Sequence, residues 1–522
     1  MNPKKTVSAA TLCGLVATLS ATLPAQAGER QELEALRATT QAILDALVEK
    51  GILAKDAADK LVQQAEAKGR EQAQAMAQEE ANVVRVPYIP EVVKREIREQ
   101  LRQEVVAQAR EERWGDVNAV PEWVGRLKWE GDLRVRHQTD LFADGNAAGT
   151  TFVGAPYGLG TASSPINTQE DRDRVRVRGR LGLLAKVSDS VSAGFRLTTG
   201  DTSDPVSTNR SLGTGFNKYS LVLDRAYFKA EPRDWVSVTG GRLPNPFVST
   251  DLVWDDDLNF EGLAATFKPW PHESMQAKPF FTVGAFPLQE VESSATNLAK
   301  DKWLYAAQAG LDWRSGAYSR WRFGLAYYDY RNIKAVSDPV VDGFYDYMDS
   351  ILKSRQKGNS MYEVAPTDKA GTYGLAADYR LANLTAMVDL SHFDPIHVVV
   401  NADVVNNMGY DKAEMQARMG AGYKKQTLGW ATKVTVGHPN ISLPGDWQVY
   451  LGYRHLERDA VLDAFTDSDF RLGGTNSKGY FIGGAYGLDR NTWLSAKWMS
   501  ADEIEGAAFG VDVLQVDLNA KF

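Results

Sequence analysis

RDRVRVRGRLGLLAKV, residues 172–187, alternates without a break. Val175, Val177, Gly179, Leu181, Leu183, Ala185 and Val187 share one parity, and Arg174, Arg176, Arg178, Arg180 and Lys186 share the other. Side chains of an extended strand point alternately to opposite faces, so this strand has one apolar face and one strongly cationic face. The polar face of a soluble sandwich strand usually mixes signs and hydroxyls, whereas four arginines in a row would repel one another without counter-charges. A water-filled barrel interior suits them better. Transmembrane barrels turn the apolar parity toward lipid and the polar parity inward, in segments of about 10 residues separated by turns.

Composition agrees. The 522 residues are 43% hydrophobic, with a mean hydropathy of −0.34 and no apolar stretch after Gly28 long enough for a membrane-spanning helix. The net charge of −8 argues against nucleic acid as a partner. Lys4 and Lys5, an apolar core from Val7 to Leu23 and Ala25-Gln26-Ala27 read as a secretory leader over residues 1–27. The single cysteine, Cys13, lies inside that leader, so the exported chain has no disulfide, thiolate metal site or thiol nucleophile.

Residues 28–113 are rich in Ala, Glu, Gln and Arg and read as a helical periplasmic segment. Leu33, Leu36, Thr40, Ile43 and Leu47 recur at spacings of three and four, a possible coiled-coil seam, and Gly51 ends that helix. Asp56 is an N-cap for a second helix carrying Leu61, Val62 and Ala65. Pro87-Tyr88-Ile89-Pro90 breaks the pattern before a third stripe of Val93, Ile97, Leu101 and Val105. A helical hairpin and an oligomerising coiled coil fit these residues equally well. Residues 114–124 read as a linker.

From residue 125 onward Gly, Trp, Tyr and Val replace the helix formers. Leu127, Trp129, Leu133 and Val135 alternate with Arg126, Lys128, Glu130, Asp132, Arg134 and Arg136 in the first strand. After the arginine strand the alternation predicts strands at 190–199, 219–230, 234–243, 258–268, 279–287, 303–314, 320–330, 371–380, 383–393, 413–424, 428–437, 447–457, 478–488, 491–500 and 511–522. A single-chain bacterial barrel has an even number of strands because both ends face the periplasm, and 413–424, with neither face cleanly apolar, is the segment to discard. The expected fold is an all-β transmembrane β-barrel of about 16 antiparallel strands over 125–522, preceded by the α-helical or coiled-coil N-terminal segment. In LVLDRAYFKAE, 221–231, a regular strand would turn either Asp224 or Arg225 toward lipid, at a cost of about 2–4 kcal/mol for Arg at mid-depth. A bulge or a subunit contact would remove the conflict.

The last segment, VDVLQVDLNAKF, puts Leu514, Val516, Leu518, Ala520 and Phe522 on one face. It resembles the C-terminal insertion signal of bacterial outer-membrane barrels, an amphipathic strand with a terminal aromatic, which implies the barrel-assembly machinery as a partner. The chain as a whole resembles the outer-membrane porin family of Gram-negative bacteria whose members carry a helical periplasmic segment before the barrel. The resemblance rests on VPYIPE at 86–91, PEWVGRLKWEGDLRVRHQ at 121–138, GGRLPNPF at 240–247, WDDDLNFEGLA at 254–264, WQVYLGYRHLERDAVLDAF at 447–465 and the C-terminal segment. It implies an outer-membrane location, with the helices in the periplasm and in possible contact with the cell wall. It also implies passive passage of small hydrophilic solutes or ions, lipid as surroundings, and a homotrimer; no cofactor is implied.

General trimeric porins fold their third loop into the barrel, where carboxylates face an arginine cluster. The corresponding loop here is LPNPFVSTDLVWDDD, 243–257, with Asp251, Asp255, Asp256 and Asp257; the wall candidates are Arg134, Arg136, Arg174, Arg176, Arg178, Arg180 and Arg196. The loop could equally cap a strand or bind a surface divalent cation. The fixed ladder against a mobile loop points to mild anion preference. His392 and His397 are poorly spaced for a ligand pair, Gly213-Thr214-Gly215 lacks a strand-to-helix context for phosphate, and Asp463, Asp467 and Asp469 lack the glycine and final glutamate of a calcium loop, so no metal site is expected. Two other functions remain: an outer-membrane barrel enzyme, needing a nucleophile and base near the rim, and a structural anchor between membrane and cell wall, which would not conduct.

Overall fold

The computed structural model describes residues 122–269, 275–292, 300–335, 354–364 and 373–522. The leader, the helical segment and most of the linker read above lie outside the described residues.

The barrel strands are β1 (Leu127–Phe142), β2 (Arg172–Lys186), β3 (Val191–Thr199), β4 (Leu221–Arg233), β5 (Val236–Pro244), β6 (Asn259–Phe267), β7 (Ala277–Gln289), β8 (Lys302–Gly316), β9 (Ser319–Arg331), β10 (Arg380–Phe393), β11 (Ile396–Asn407), β12 (Leu428–Gly437), β13 (Trp447–Leu456), β14 (Ser477–Asp489), β15 (Thr492–Glu503) and β16 (Val511–Lys521). Each pairs antiparallel with its sequence neighbours, and β16 pairs with β1, closing sixteen strands into a barrel without an edge. Short turns such as 187–190 and 490–491 alternate with long connections such as 143–171 and 457–476.

The count of sixteen agrees with the sequence, but its membership differs at two places. Of the expected strand 371–380 the described residues, from Tyr373 on, are not a wall strand: Tyr373–Leu375 pairs with Met361–Glu363 in a separate two-stranded sheet, and Ala376, Ala377 and Tyr379 are buried in the interior. The missing wall strand is β11, where three consecutive valines, Val398 to Val400, hide the alternation and Val405 faces inward into an apolar cluster. Discarding 413–424 is right, because Lys412–Met419 is a helix, α1, capped by the Asp411 side chain on the Glu414 N–H.

Alternation sorts the faces as lipid demands. Leu133, Val135, Val175 and Leu181 are exposed outside, while Arg136, Gln138 and Asp140 on the same strand β1 are buried inside. The conflict at Asp224 and Arg225 is resolved by a bulge: the β3–β4 register steps from Arg196↔Arg225 to Leu197↔Leu223, leaving Asp224 as the extra residue. Both charges then turn inward, Asp224 to Arg196 and Asn259, and Arg225 to Asn259 Oδ1 at 2.7 Å.

The β5–β6 hairpin leaves the wall. Gly241 and Gly262 are partners across it, both with left-handed φ (116° and 135°). A Cβ on Gly241 would collide with the Ala226 carbonyl, and one on Gly262 with the Ala285 carbonyl. Above them pairing with β4 stops at Ala226↔Arg242, and pairing with β7 stops at Leu263↔Ala285. Leu243 and Phe260, just past the two glycines, are buried in the interior. The bend thus carries the connection 245–258 inside the barrel.

Closure ends at Phe522, whose N–H and carbonyl exchange 2.9 Å hydrogen bonds with the Gly131 carbonyl and N–H. Its ring lies where a Gly131 side chain would otherwise be. Deleting Phe522 removes both closing bonds and uncovers Gly131, so the folded barrel should form in lower yield and convert to the unfolded form at a lower temperature on heat-modifiability gels. Unchanged yield and conversion temperature would show that the terminal residue does not contribute to closure.

Candidate functional site

The arginine ladder meets β1 rung by rung: Asp132↔Arg180, Arg134↔Arg178, Arg136↔Arg176 and Gln138↔Arg174. On the other side of β1, Arg136 is opposite Asp517 of β16. Like charges directly across a ladder destabilise it, and here carboxylates offset most of the repulsion. Arg136 holds both oxygens of Asp517 (2.8 and 2.9 Å) and both of Asp469 (3.1 and 3.0 Å). Arg174 pairs with Asp140 at 2.6 Å, Arg178 and Arg180 share Asp132 at 2.9 and 2.6 Å, and Arg196 pairs with Asp224. Arg134 and Arg176 are different: among the described residues neither pairs with a carboxylate, and their partners are the neutral Asn209, Gln138 and Ser207.

The connection 245–258 crosses the interior and is fastened at several points. Val248 and Gln308 of β8 exchange two hydrogen bonds of 2.8 Å. Thr250 donates its N–H and hydroxyl to Asp403 of β11, at 3.2 and 2.6 Å. The Asp255 N–H donates to the Phe465 carbonyl, and the Asp467 N–H to the Asp251 carbonyl, tying this loop to the connection 457–476. Trp254 is the apolar centre of the join, with ring centroids 4.8 Å from Phe260, 5.1 Å from Tyr328 and 6.1 Å from Phe465. One part of the interior is therefore a packed aromatic core, and ionic groups line another.

The four loop aspartates have four different environments. Asp255 is buried and accepts the N–H groups of Asp257 and Ser468, and burial, then Asp257 and Asp467, pushes its carboxyl well up. Asp257 reaches the ladder, 3.0 Å from Arg180 and 3.8 Å from Arg178, and accepts the Thr208 hydroxyl at 2.8 Å. Burial works to raise it, but the two arginines outweigh burial and hold it below the usual carboxylate range. Asp256 is open to the interior, where enclosure, with Asp251, Asp257 and Asp467 nearby, pushes it up to about 6. Asp251 is partly exposed.

Sequence reading missed several partners. Asp132 and Asp140 were visible, since they share the inward parity of Arg134 and Arg136 on β1. Asp403, Asp467, Asp469 and Asp517 carry no local signal, because only the closed barrel and the folded connections bring them to the arginines and the loop. Asp463, Asp467 and Asp469 diverge rather than converge: Asp467 pairs with Arg454 and Asp469 with Arg136. His397 pairs with Asp389, while His392 lies against the Tyr318 ring. Among the described residues no group of three or more ligand side chains is placed to hold a metal ion.

Asp403 accepts four hydrogen bonds, two from Thr250 and one each from Asn383 and Thr385. Asp403→Ala orphans those donors, each at about 1–3 kcal/mol where buried, and loosens the loop at one of its anchors without touching a wall hydrogen bond. Single-channel recordings should then show larger, noisier conductance from a barrel of ordinary heat-modifiability. Wild-type conductance and noise would mean that Asp403 does not hold the loop.

The fold and this lining define a membrane channel barrel. The sequence matches the family described as "Putative porin" over residues 37–522, and the chain belongs to that family. Similar solved structures include OprB of Pseudomonas putida (12% identity, TM-score 0.45, covering 77% of this chain and 96% of that one). The outer membrane channel DcaP of Acinetobacter baumannii is another (12%, 0.39, 76% and 97%), as is Salmonella typhi OmpF in complex with daunomycin (9%, 0.40, 76% and 97%). No curated protein matches the chain. Family and barrel support an outer-membrane channel rather than an enzyme.

Proposed function

We propose that the chain is a passive outer-membrane channel for small hydrophilic solutes with a preference for anions, lined by Arg134, Arg136, Arg174, Arg176, Arg178, Arg180 and Arg196, with the 243–257 loop as its constriction. The observation that carries the sign is the unequal pairing of the ladder: Asp132, Asp140, Asp257, Asp469 and Asp517 neutralise its neighbours, leaving Arg134 and Arg176 with neutral partners. Unpaired guanidiniums in a narrow water-filled passage raise the local anion concentration. Asp251 and Asp256 oppose them. Arg178, which sequence alone ranks equal to Arg176, contributes less because Asp132 and Asp257 flank it.

In planar bilayers under a salt gradient, Arg134→Gln with Arg176→Gln should shift the reversal potential toward cations at about 0.1 M salt, and less at 1 M, where screening is shorter. Asp256 is charged above its raised pKa and neutral below it, so acidifying the wild type from roughly pH 7.5 to 5 should increase anion preference. Asp256→Asn should weaken that dependence. A reversal potential indifferent to the double arginine change sinks the selectivity reading, and absence of any conductance would favour the structural-anchor alternative.

The same reading includes a cleaved leader, a periplasmic helical segment able to contact the cell wall, and Phe522 as the terminal aromatic of a signal read by the barrel-assembly machinery. It also includes a homotrimer. Exposed aromatics of the outer wall favour membrane interfaces, and Tyr305, Tyr327, Trp430, Tyr453, Tyr480 and Trp498 form such a belt at the loop end of β8, β9 and β12–β15. From β16 to β4 the exposed residues toward the same end carry no Trp or Tyr: they are Leu514, Val135, Leu141, Val175, Leu221, Leu223 and Phe195. A wall that lacks the Tyr and Trp girdle at that end suits contact with a second copy. Val135→Lys with Val175→Lys should dissociate the trimer on native gels while leaving the same wall position on β9, Leu325→Lys, trimeric; an intact trimer in the first variant would move the interface elsewhere.

A further inference from the structure

Arg134, Arg136, Arg176 and Arg178 occupy two adjacent rungs of β1 and β2, with cross-strand partners Arg134↔Arg178 and Arg136↔Arg176. Arg136 engages two carboxylates and Arg178 two others, so Arg134 and Arg176, with no carboxylate in contact, form one diagonal of this square. Diagonal neighbours across a ladder lie about 7–8 Å apart at their backbones, a span that two long side chains easily close.

What lies between them is neutral and loosely bonded. Arg134 Nη2 donates to Asn209 Oδ1 at 2.7 Å, Asn209 Nδ2 to Ser207 Oγ at 3.3 Å, and Arg176 Nη2 to the same Ser207 Oγ at 3.4 Å. Arg176 Nη1 donates to Gln138 Oε1 at 3.2 Å. Each guanidinium carries five donor hydrogens, so most of theirs are unused, and the Nε of each is buried without an acceptor. Two positive charges with many spare donors and no carboxylate in contact, Asp204, Asp469 and Asp517 acting on them only from a distance, call for a group with negative charge and several acceptor oxygens.

We infer that Arg134 and Arg176 form a binding site for a doubly charged tetrahedral oxyanion, inorganic phosphate or sulfate, on the inner wall of the barrel. This rests on the anion-selective reading above and narrows it to a solute class. A planar guanidinium fork engages two oxygens of one anion, so a tetrahedral anion offers a pair to each arginine, whereas a carboxylate satisfies one and chloride offers no fork. Asn209 Nδ2 and the Ser207 hydroxyl are extra donors at the same point. Ser207 and Asn209 belong to the connection 200–220, which is held beside the ladder where Arg210 and Ser211 pair with Val177 and Arg176, so both donors have a fixed place at the site.

The test uses the full-length protein in detergent and in planar bilayers. Calorimetric titration with sodium phosphate and, separately, sodium sulfate should show saturable binding that sodium chloride does not, and the double variant Arg134→Gln with Arg176→Gln should weaken it by about tenfold or more. Asn209→Asp, which supplies an internal carboxylate between the two guanidiniums and adds no unpaired charge, should weaken it similarly in a barrel of wild-type heat-modifiability. In bilayers, phosphate added to a chloride gradient should reduce the anion preference of the wild type and leave the double variant unmoved. Equal binding by wild type and both variants, or no binding beyond that of chloride, overturns the site. Anion selectivity without oxyanion binding sinks the site alone; oxyanion binding in a channel that is not anion-selective sinks the selectivity reading alone.

Discussion

In hydrocarbon a backbone N–H or carbonyl without a partner costs several kcal/mol, and this constraint governs the barrel before any side chain is considered. Every wall strand must find a neighbour on both sides, so the chain closes, down to the two bonds between Phe522 and Gly131. Closure makes inside and outside permanent, and strict alternation then assigns each residue by its parity. The one large departure, the β5–β6 hairpin that leaves the wall, occurs where Gly241 and Gly262 adopt conformations other residues resist. The Arg242 guanidinium replaces part of the lost ladder there, donating to the Asp224 carbonyl at 2.9 Å.

The inward bend and the arginine ladder depend on each other. A loop drawn into a water-filled interior needs anchors, and Asp257 finds one in Arg178 and Arg180. The ladder needs counter-charges, and at Arg178 and Arg180 the loop adds Asp257 to the Asp132 that β1 places there. The rest of the loop is held by different physics: Trp254 and its aromatic neighbours exclude water, while Asp403 and Gln308 satisfy backbone donors that packing alone would strand. Because the connection 457–476 shares both the aromatic core and the Asp469–Arg136 pair, the two loops act as one partition of the interior.

Much of this was legible in the sequence where the physics is local. Residues 172–187 announce a strand with a lipid face and a charged face, and the even strand count together with the lack of a clean apolar face rejected 413–424, whose first half lies in α1. β11 escaped because valines stand on both of its parities: Val399 and Val405 interrupt the inward row of His397, Asn401, Asp403 and Asn407, and Val405 packs in the inner apolar cluster instead of facing water. The reverse error at 371–380 has the same origin, since an interior segment buried on all sides can imitate the alternation of a wall strand. For the ladder, residue type and direction were readable but net charge was not. Nothing near Arg136 in sequence foretells Asp469 or Asp517, which are brought to it by a loop from the far side of the chain and by closure between the first strand and the last.

The Asp224 bulge shows how such long-range pairing feeds back on the wall. A regular β4 would have buried one charge and turned the other to lipid. The inserted residue instead brings Asp224 to Arg196 and leaves Arg225 on Asn259, the first residue of the strand that returns from the inner loop. Asn259 answers both, donating to Asp224 at 2.7 Å and accepting from Arg225 at 2.7 Å. An ion pair, a neutral amide and a second arginine thus form a chain from β3 through β4 to β6, parallel to the wall bonds that the hairpin gave up. The strand irregularity and the inward loop are therefore one adaptation: the bulge supplies the polar groups that hold β6 in place after its backbone has left the ladder.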